Sequence, residues 1–517
     1  MLIRAGSSGC GSGCQAHKMP NLRARFAMLS RPGRFAVLLV SGVIAGLGQA
    51  PFDLWPATIV ALAVAFVLHG DCRSARQAAG QAWFFGLGYF AFTLRWIIEP
   101  FLVDVARHGW MAPFALLLMA GGAALFWAVA AYLAGRLMPR NIAMFGLMLV
   151  GAEVTRSLIL SGFPWALLGH IWVPTALAQL AALGGPHLLS LITVLVAWSV
   201  ALMVAGRWAG GLGIVALMVV AGFVVRPGPP PAPMADAPIV RLVQPNAPQH
   251  LKWDPAYRDV FLNRLVALTG QGPVPDLIVW PETAVPSLLN YIVGDMSLLE
   301  GAARGAPLVF GIQRRDDIGQ FYNSFVVMGQ GGAVTGIYDK RHLVPFGEYI
   351  PGGNLVGQFG ISGLATTDGG GFAAGAAHGL ITLPGIGPAI PLICYEGIFA
   401  EEIARGTQRP RLMVLITNDA WFGTAAGPYQ HLAQARLRSI EQGLPMVRVA
   451  NTGVSAMIDA RGRLRAQIPL DVEGAVDVPL PPALAAPVYT RWGDWPVILL
   501  LVAAVLSGAF MRQRDSD

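Results

Sequence analysis

Eight long apolar runs constrain this chain more than any other feature of its sequence. Each has roughly the 16 to 25 residues that a helix needs to cross the hydrocarbon core of a bilayer. Because 55% of all residues are hydrophobic and only 13% are charged, we predict a multi-span α-helical membrane bundle. The runs are 35–50, 54–70, 80–98, 112–138, 142–160, 187–206, 210–225 and 495–511.

Lysine and arginine fall in every second loop between these runs, as they do in cytoplasmic loops of membrane proteins. The alternate loops hold almost none, apart from Arg107. Both termini are therefore predicted to be cytoplasmic, with residues 227–494 on the outer side of the membrane. The excess positive charge of the chain, formally +7, lies outside 227–494, so it indicates topology and not nucleic-acid binding. The basic residues of the predicted cytoplasmic segments are Arg4, Lys18, Arg23, Arg25, Arg31, Arg34, Arg73, Arg76, Arg136, Arg140, Arg207, Arg512 and Arg514.

Five segments follow from this pattern. Residues 1–33 are expected to be a disordered cytoplasmic tail, in which Met1, Met19 and Met28 are alternative starts. Seven transmembrane helices are predicted in 34–226, a soluble domain in 227–494, an eighth helix in 495–511, and a short cytoplasmic tail in 512–517. The first apolar run is not read as a cleaved signal peptide, because further spans follow it.

Short β-rich runs alternate with helix-like stretches through 227–494, which predicts an α/β domain. Three of its strands end in polar groups: Glu282 after "LIVWP", Cys394 after "IPLI", and Asn418 with Asp419 after "MVLIT". Ligands of α/β folds gather where strands end. We therefore expect these side chains to converge.

Cys394 is the only cysteine predicted on the outer side of the membrane, because Cys10, Cys14 and Cys72 lie in predicted cytoplasmic segments, so it has no partner for a disulfide there. One interpretation is a small buried apolar residue. The other is a nucleophile, which needs a base to take its proton and a cation to steady the negative charge. Glu282 and Lys340 have the required chemistry, although a single lysine at a strand end is more often a solvated charge.

The three residues stand in motifs that are specific as an ordered set. "WPET" contains Glu282, "YDKRHLVPFGEYIP" contains Lys340, and "ICYE" contains Cys394. These motifs resemble the signatures of the nitrilase superfamily, and their combination with seven preceding spans and one following span resembles its membrane-embedded branch, the apolipoprotein N-acyltransferases. The resemblance implies an α-β-β-α sandwich in which Glu282 is the general base, Lys340 stabilises the tetrahedral intermediates, and Cys394 carries the acyl group. It also implies that this domain lies on the periplasmic side of a bacterial inner membrane.

The same resemblance implies four supporting positions: Trp253, Glu348, Tyr395 and Glu396. Taken alone, Trp253 reads as an aromatic at the domain edge, Glu348 as a surface carboxylate, and Glu396 as an acid favoured by a helix N-terminus. "GFPW" (162–165) and "TNDAWFG" (417–423) add similar context.

The activity implied is ping-pong transfer of a fatty acyl chain from a membrane phospholipid, through a thioester on Cys394, to the N-terminal amine of diacylglyceryl-cysteine on a lipoprotein. The partners expected are these two lipid substrates, with no nucleic acid and a monomeric protein. We expect neither cofactor nor metal. Two alternatives stay open: a membrane-tethered nitrilase or amidase acting on a small C–N substrate, and a transporter with an outer domain. Eight spans disfavour a simple anchor, and few ionisable residues within the spans disfavour a coupled transporter.

Overall fold

The computed structural model describes residues 26, 28–224, 228, 235–351, 371–376, 379–403 and 408–516. Most of the predicted disordered tail and much of the linker before 238 lie outside these residues. The described chain has an N-terminal helical region, a two-sheet domain, and a last helix that returns to the helical region.

Helices occupy each of the eight apolar runs. Helix starts are capped locally: the Ser30, Ser74 and Asn141 side chains accept hydrogen bonds from the first turns of the helices that follow them. In chain order the helices are α1 (Arg31–Gly46), α2 (Trp55–His69), α3 (Ala75–Thr93), α4 (Glu99–Leu102), α5 (Val105–His108), α6 (Ala112–Leu137), α7 (Ile142–Leu158), α8 (Ala181–Val204), α9 (Trp208–Val224), α10 (Gln249–Lys252), α11 (Arg258–Thr269), α12 (Val293–Ala303), α13 (Gly427–Gln442), α14 (Val488–Trp492) and α15 (Trp495–Ser516).

Three helical stretches combine the length and the hydropathy needed to cross a membrane: Val105–Leu137, Ala176–Val204 and Trp495–Arg512. Trp55–His69 is apolar but shorter. The described residues therefore support a membrane region, whereas the number of eight spans stays a prediction.

Two of the predicted boundaries are wrong. The run 80–98 does not stay α-helical to its end, because α3 stops at Thr93 and Arg95–Ile98 forms a 3₁₀ turn. The run 187–206 is the second part of α8, which begins earlier and is broken at Gly184 and Gly185. Pro186, which follows this break, cannot donate a helical hydrogen bond.

The soluble domain contains two six-stranded sheets with matching layouts. Their strand orders are β12-β1-β2-β3-β4-β5 and β11-β10-β9-β8-β7-β6. In each sheet three successive strands are parallel, β1-β2-β3 and β7-β8-β9, and the other neighbours are antiparallel. The strands are β1 (Ile239–Gln244), β2 (Leu277–Val279), β3 (Leu308–Arg315), β4 (Phe321–Met328), β5 (Val334–Asp339), β6 (Ile381–Leu383), β7 (Gly387–Ile393), β8 (Leu412–Thr417), β9 (Met446–Ala450), β10 (Ser455–Ile458), β11 (Leu464–Ile468) and β12 (Gly474–Pro479).

The two sheets pack face to face. One buried cluster joins β1 residues such as Leu242 to β8 residues such as Val414. Helices α11 and α12 cover the outer face of the first sheet, and α13 covers the outer face of the second. Every residue of β8 is buried, as expected of a parallel strand covered on both faces. The result is the α-β-β-α sandwich that the motifs predict.

The sandwich is joined to the helical region by buried polar contacts. The Gln430 side chain on α13 accepts a hydrogen bond from Trp165 Nε1 at 2.6 Å and donates to the carbonyls of Ala50 and Thr93. Tyr395, next to the predicted nucleophile, donates its hydroxyl hydrogen to the Gly162 carbonyl at 3.4 Å. The predicted catalytic cysteine is thus seated next to one end of the helical region.

Candidate active site

Glu282 lies in the turn that follows β2 and is 5% exposed. Its Oε1 accepts a hydrogen bond from Asn323 Nδ2 at 2.7 Å. Thr283 has φ of 45°, a left-handed conformation that is uncommon for a β-branched residue. Gly311 on β3 makes this turn possible, because a Cβ there would lie 2.4 Å from the Thr283 nitrogen and 2.6 Å from the Glu282 Cα.

Lys340 follows β5 directly and is 1% exposed. Its Nζ lies 2.9 Å from Glu348 Oε1 and 3.5 Å from Glu282 Oε1. Burial alone would lower the pKa of Lys340, but the charges of Glu348 and Glu282 outweigh this effect and raise it. Lys340 is therefore a fixed positive charge between two buried carboxylates.

Glu348 is a buried member of the same cluster and not a surface carboxylate. Its second oxygen accepts a hydrogen bond from the Val344 backbone N–H at 2.8 Å. Asn323 Nδ2 also contacts Glu348 Oε1, at 3.2 Å. The two carboxylates are thus fixed by one lysine and one amide.

Cys394 stands at the end of β7, where Cys394–Ile398 forms a 3₁₀ turn. It is 5% exposed and has φ of 49°, a second left-handed conformation in the site. Burial raises the pKa of the Cys394 thiol, the negative charge of Glu282 raises it further, and Lys340 opposes both effects. The thiol is therefore protonated at rest, so its attack on a carbonyl requires a base.

Glu396 supports the turn that carries the nucleophile. Its carboxylate accepts hydrogen bonds from Ile393 N and Arg341 N, both at 2.8 Å, and from the Tyr338 hydroxyl at 2.7 Å. The first of these donors precedes Cys394, and the second follows Lys340. Glu396 thus ties the two loops together, while Tyr395 points to the helical region through Gly162.

Trp253 is 49% exposed, and its neighbour Lys252 is the buried residue of the pair. Lys252 Nζ lies 5.7 Å from the centroid of the Trp253 ring. One electrostatic cluster unites four of the positions implied by the resemblance: Glu282, Lys340, Cys394 and Glu348. Trp253 lies at the edge of this cluster, beside Lys252.

Sequence reasoning missed Lys252 and Asn323. Asn323 lies within β4, where a polar residue in an apolar strand was the only available signal. The sequence drew attention to Asp419 but not to its partners, which are His431 Nδ1 at 2.9 Å and Arg448. Thr417 donates to Asp419 Oδ1 at 2.9 Å, and the negative charge of Asp419 contributes to raising the pKa of the Cys394 thiol, so this buried group lies near the nucleophile.

Comparison with known proteins covers both regions of the chain. Residues 41–199 match the family model described as apolipoprotein N-acyltransferase N-terminal domain, and residues 240–489 match the carbon-nitrogen hydrolase model. A carbon-nitrogen hydrolase structure from Helicobacter pylori G27 aligns with 47% of this chain and 88% of its own, at 16% identity and a TM-score of 0.35.

Three relatives called apolipoprotein N-acyltransferase align along nearly the whole chain. The protein from Rhodopseudomonas palustris is 37% identical over 93% of this chain and 95% of its own length. That from Sinorhizobium fredii is 35% identical over 94% and 98%, and that from Bradyrhizobium diazoefficiens is 36% identical over 92% and 94%. These relatives match both the apolar helices and the sandwich. The chain therefore belongs to the apolipoprotein N-acyltransferase family and is a membrane-associated acyltransferase with a nitrilase-like domain.

Proposed function

We propose that this protein transfers a fatty acyl chain from a membrane phospholipid to the N-terminal amine of diacylglyceryl-cysteine on a lipoprotein, through a thioester on Cys394. The observation that carries the proposal is the buried cluster of Glu282, Lys340 and Cys394 beside the junction with an apolar helical region. The names of the relatives support the lipoprotein as acceptor.

The first half-reaction begins with the protonated thiol. The Cys394 proton passes to the Glu282 carboxylate while sulfur attacks the ester carbonyl of the phospholipid. The ester C–O bond then breaks, and Glu282 returns the proton to the oxygen of the departing lysophospholipid. The product is a thioester on Cys394.

The second half-reaction uses the same groups in reverse. The α-amine of the lipoprotein attacks the thioester carbonyl and gives a proton to Glu282. The C–S bond breaks, sulfur regains a proton, and the amide product leaves. In both steps Lys340 stabilises the oxyanion of the tetrahedral intermediate, because its neighbouring carboxylates keep it protonated.

A lipid substrate fits the position of the nucleophile. Tyr395 contacts the loop at Gly162, and Trp165 in the same loop contacts α13 of the sandwich. We infer from these contacts that substrates anchored in a bilayer approach the thiol from the helical region. A site shielded in this way also keeps water from the thioester, whose hydrolysis would end the transfer without product.

The test is intact-protein mass spectrometry of the purified full chain after incubation with phospholipid, followed by addition of a diacylated lipopeptide. The wild-type protein should gain one acyl chain and then lose it to the lipopeptide. Cys394→Ala should gain none, because the acyl-bearing sulfur is gone. Cys72→Ala is the matched control, since Cys72 is also a buried free cysteine but lies in the helical region.

Acyl transfer by Cys394→Ala would contradict the thioester route. Release of ammonia from small amides, with no acylation by phospholipid, would favour the amidase alternative. Solute flux across vesicles without acylation would favour the transporter alternative.

A further inference from the structure

Lys252 is a second buried lysine in the site. It ends α10, is 8% exposed, and donates from Nζ to the Glu282 carbonyl at 3.1 Å and to Thr283 Oγ1 at 2.8 Å. These two acceptors are neutral. Among the described residues no carboxylate forms a salt bridge with this ammonium group. A charge buried with only neutral acceptors is costly unless the surrounding field compensates it.

The two acceptors belong to the strained turn that aims the proposed base. Thr283, the residue after Glu282, has the left-handed φ of 45°. On the sheet side the turn is held by Gly311, whose N–H donates to Pro281 O and whose carbonyl accepts from Ala284 N. Lys252 bridges the carbonyl and the hydroxyl of the turn. A residue in such a conformation persists only when its surroundings fix it, and Lys252 supplies one of those contacts.

Glu282 is thus held at both ends. Asn323 and Lys340 contact its carboxylate, at 2.7 and 3.5 Å, and Lys252 contacts its backbone carbonyl. The two lysines therefore contact different parts of Glu282: Lys340 contacts its carboxylate, and Lys252 contacts its backbone carbonyl. The Lys340 charge is already paired with two carboxylates, whereas the Lys252 charge is not.

The charged groups around Lys252 are few. Glu282 at the end of β2 and Cys394 at the end of β7 interact with it electrostatically. Lys252 lines a small cavity together with Arg258, at the start of α11, and with Asn451, which is neutral. His250 is the other titratable residue of α10. Moving a proton from Cys394 to Glu282 places a negative charge on sulfur, which a cation in this position stabilises.

We propose that Lys252 is a positioning residue for acyl-enzyme formation: its ammonium group fixes the Glu282–Thr283 turn, and its positive charge favours the thiolate of Cys394. The inference rests on the proposed function, because it takes Glu282 as the base and Cys394 as the nucleophile. It adds an ionisable contributor that the three ordered motifs do not contain.

The charge of Lys252 is lost within an accessible pH range. Burial lowers the pKa of Lys252 to about 8, against the opposing charges of Glu282 and Cys394. Below that pH the ammonium is charged and favours the thiolate. Above it the neutral amine still donates hydrogen bonds to the turn, but the charge is absent. The rate of thioester formation should therefore fall as pH rises through about 8.

The experiment measures thioester formation on the full chain with phospholipid from about pH 6 to about pH 10, a range around the expected titration. Lys252→Gln keeps a donor and removes the charge, so it should lack the fall near pH 8 and be about 10-fold slower at neutral pH, part of the roughly 10²- to 10⁴-fold that a positioned base contributes. Lys252→Arg keeps its charge throughout, so it should also lack the fall. Arg258→Gln removes an exposed cation from the same cavity and should keep the wild-type profile.

A wild-type rate that does not fall between about pH 7 and about pH 9.5 would overturn the inference, even if Lys252→Gln failed to fold. So would a Lys252→Gln protein that follows the wild-type profile. Alkylation of Cys394 by iodoacetamide, measured over the same pH range, tests the role of Lys252 separately from the proposed acyl transfer. If no thioester forms at any pH, the proposed function fails, while a Lys252-dependent fall in alkylation rate still supports the inference.

Discussion

Lys340 is the residue on which the charge balance of the site depends. It is almost fully buried between two carboxylates, and its ammonium reaches both with one compact group. A buried carboxylate without a partner costs several kcal/mol, so Glu282 and Glu348 need this charge as much as the reaction does. The same contacts that stabilise the cluster keep the lysine protonated for the oxyanion.

Lys340→Arg tests whether the shape of the cation matters as well as its charge. A planar guanidinium is larger than an ammonium and places its charge farther from the backbone, so it should not fit between carboxylates 2.9 and 3.5 Å from Nζ. We expect thioester formation to fall roughly 10²-fold or more, within the 2 to 4 kcal/mol range of a lost oxyanion donor. Single-turnover mass spectrometry measures the loss. Wild-type rates in Lys340→Arg would show that charge alone is sufficient.

At the scale of elements, the site is built where strands end and the backbone turns sharply. Glu282 follows β2 and Cys394 follows β7, so each sheet contributes one of the two reacting side chains. Left-handed residues occur at both places, Thr283 and Cys394 itself. The turn at Glu282 also needs the close approach of β3, which Gly311 permits.

Gly311→Ala should displace the base without removing any polar group of the site. The new Cβ would meet the backbone of Glu282 and Thr283 at 2.4 to 2.8 Å, and a backbone cannot rotate away as a side chain can. We expect a stability loss of about 1 to 3 kcal/mol, typical of overpacking, and a larger relative loss of thioester formation. Thermal unfolding and acylation rates on the same samples measure both.

Gly301→Ala is the matched control. Gly301 lies in α12, where an added Cβ meets nothing within 4 Å, so this change should leave activity intact and stabilise the helix by roughly 0.5 to 1 kcal/mol. Equal activity of the two variants would contradict the role given to Gly311.

At the scale of the whole molecule, the helical region has two chemically different ends. Basic residues lie at one end: Gly135 near the end of α6 packs against Ala75 at the start of α3, and Arg512 donates to the Arg136 carbonyl at 3.0 Å. The sandwich joins the opposite end, where Gln430 contacts the Thr93 carbonyl. This distribution of basic residues is consistent with the prediction that both termini are cytoplasmic and the catalytic domain is periplasmic.

Cysteine labelling in intact cells tests this orientation. Gln330 and Arg73 are both exposed, one on the sandwich and the other in a basic loop of the helical region. A membrane-impermeant thiol reagent should label Gln330→Cys and leave Arg73→Cys unlabelled until the cells are opened. The reverse pattern would invert the topology and contradict the predicted periplasmic position of residues 227–494.

Sequence patterns determined the architecture because each rests on a local rule. Apolar runs located the eight helices, alternating strand and helix patterns predicted the α/β domain, and ordered motifs identified Glu282, Lys340 and Cys394 as candidates. Helix ends were predicted less well, since the break at Gly184 and Gly185 depends on packing: a Cβ at Gly185 would lie 2.3 Å from the Tyr489 ring.

The contacts within the site became visible only in the folded molecule. Nothing local distinguishes buried Lys252 from exposed Trp253, or Asn323 from any other polar residue in a strand, because their roles arise from contacts between residues far apart in the chain. Glu348 read alone as a surface acid, yet folding buries it against Lys340. Local sequence patterns fixed which residue types were available and predicted which segments lie in the membrane. The fold decided which charges meet, since burial and pairing are properties of the packed molecule.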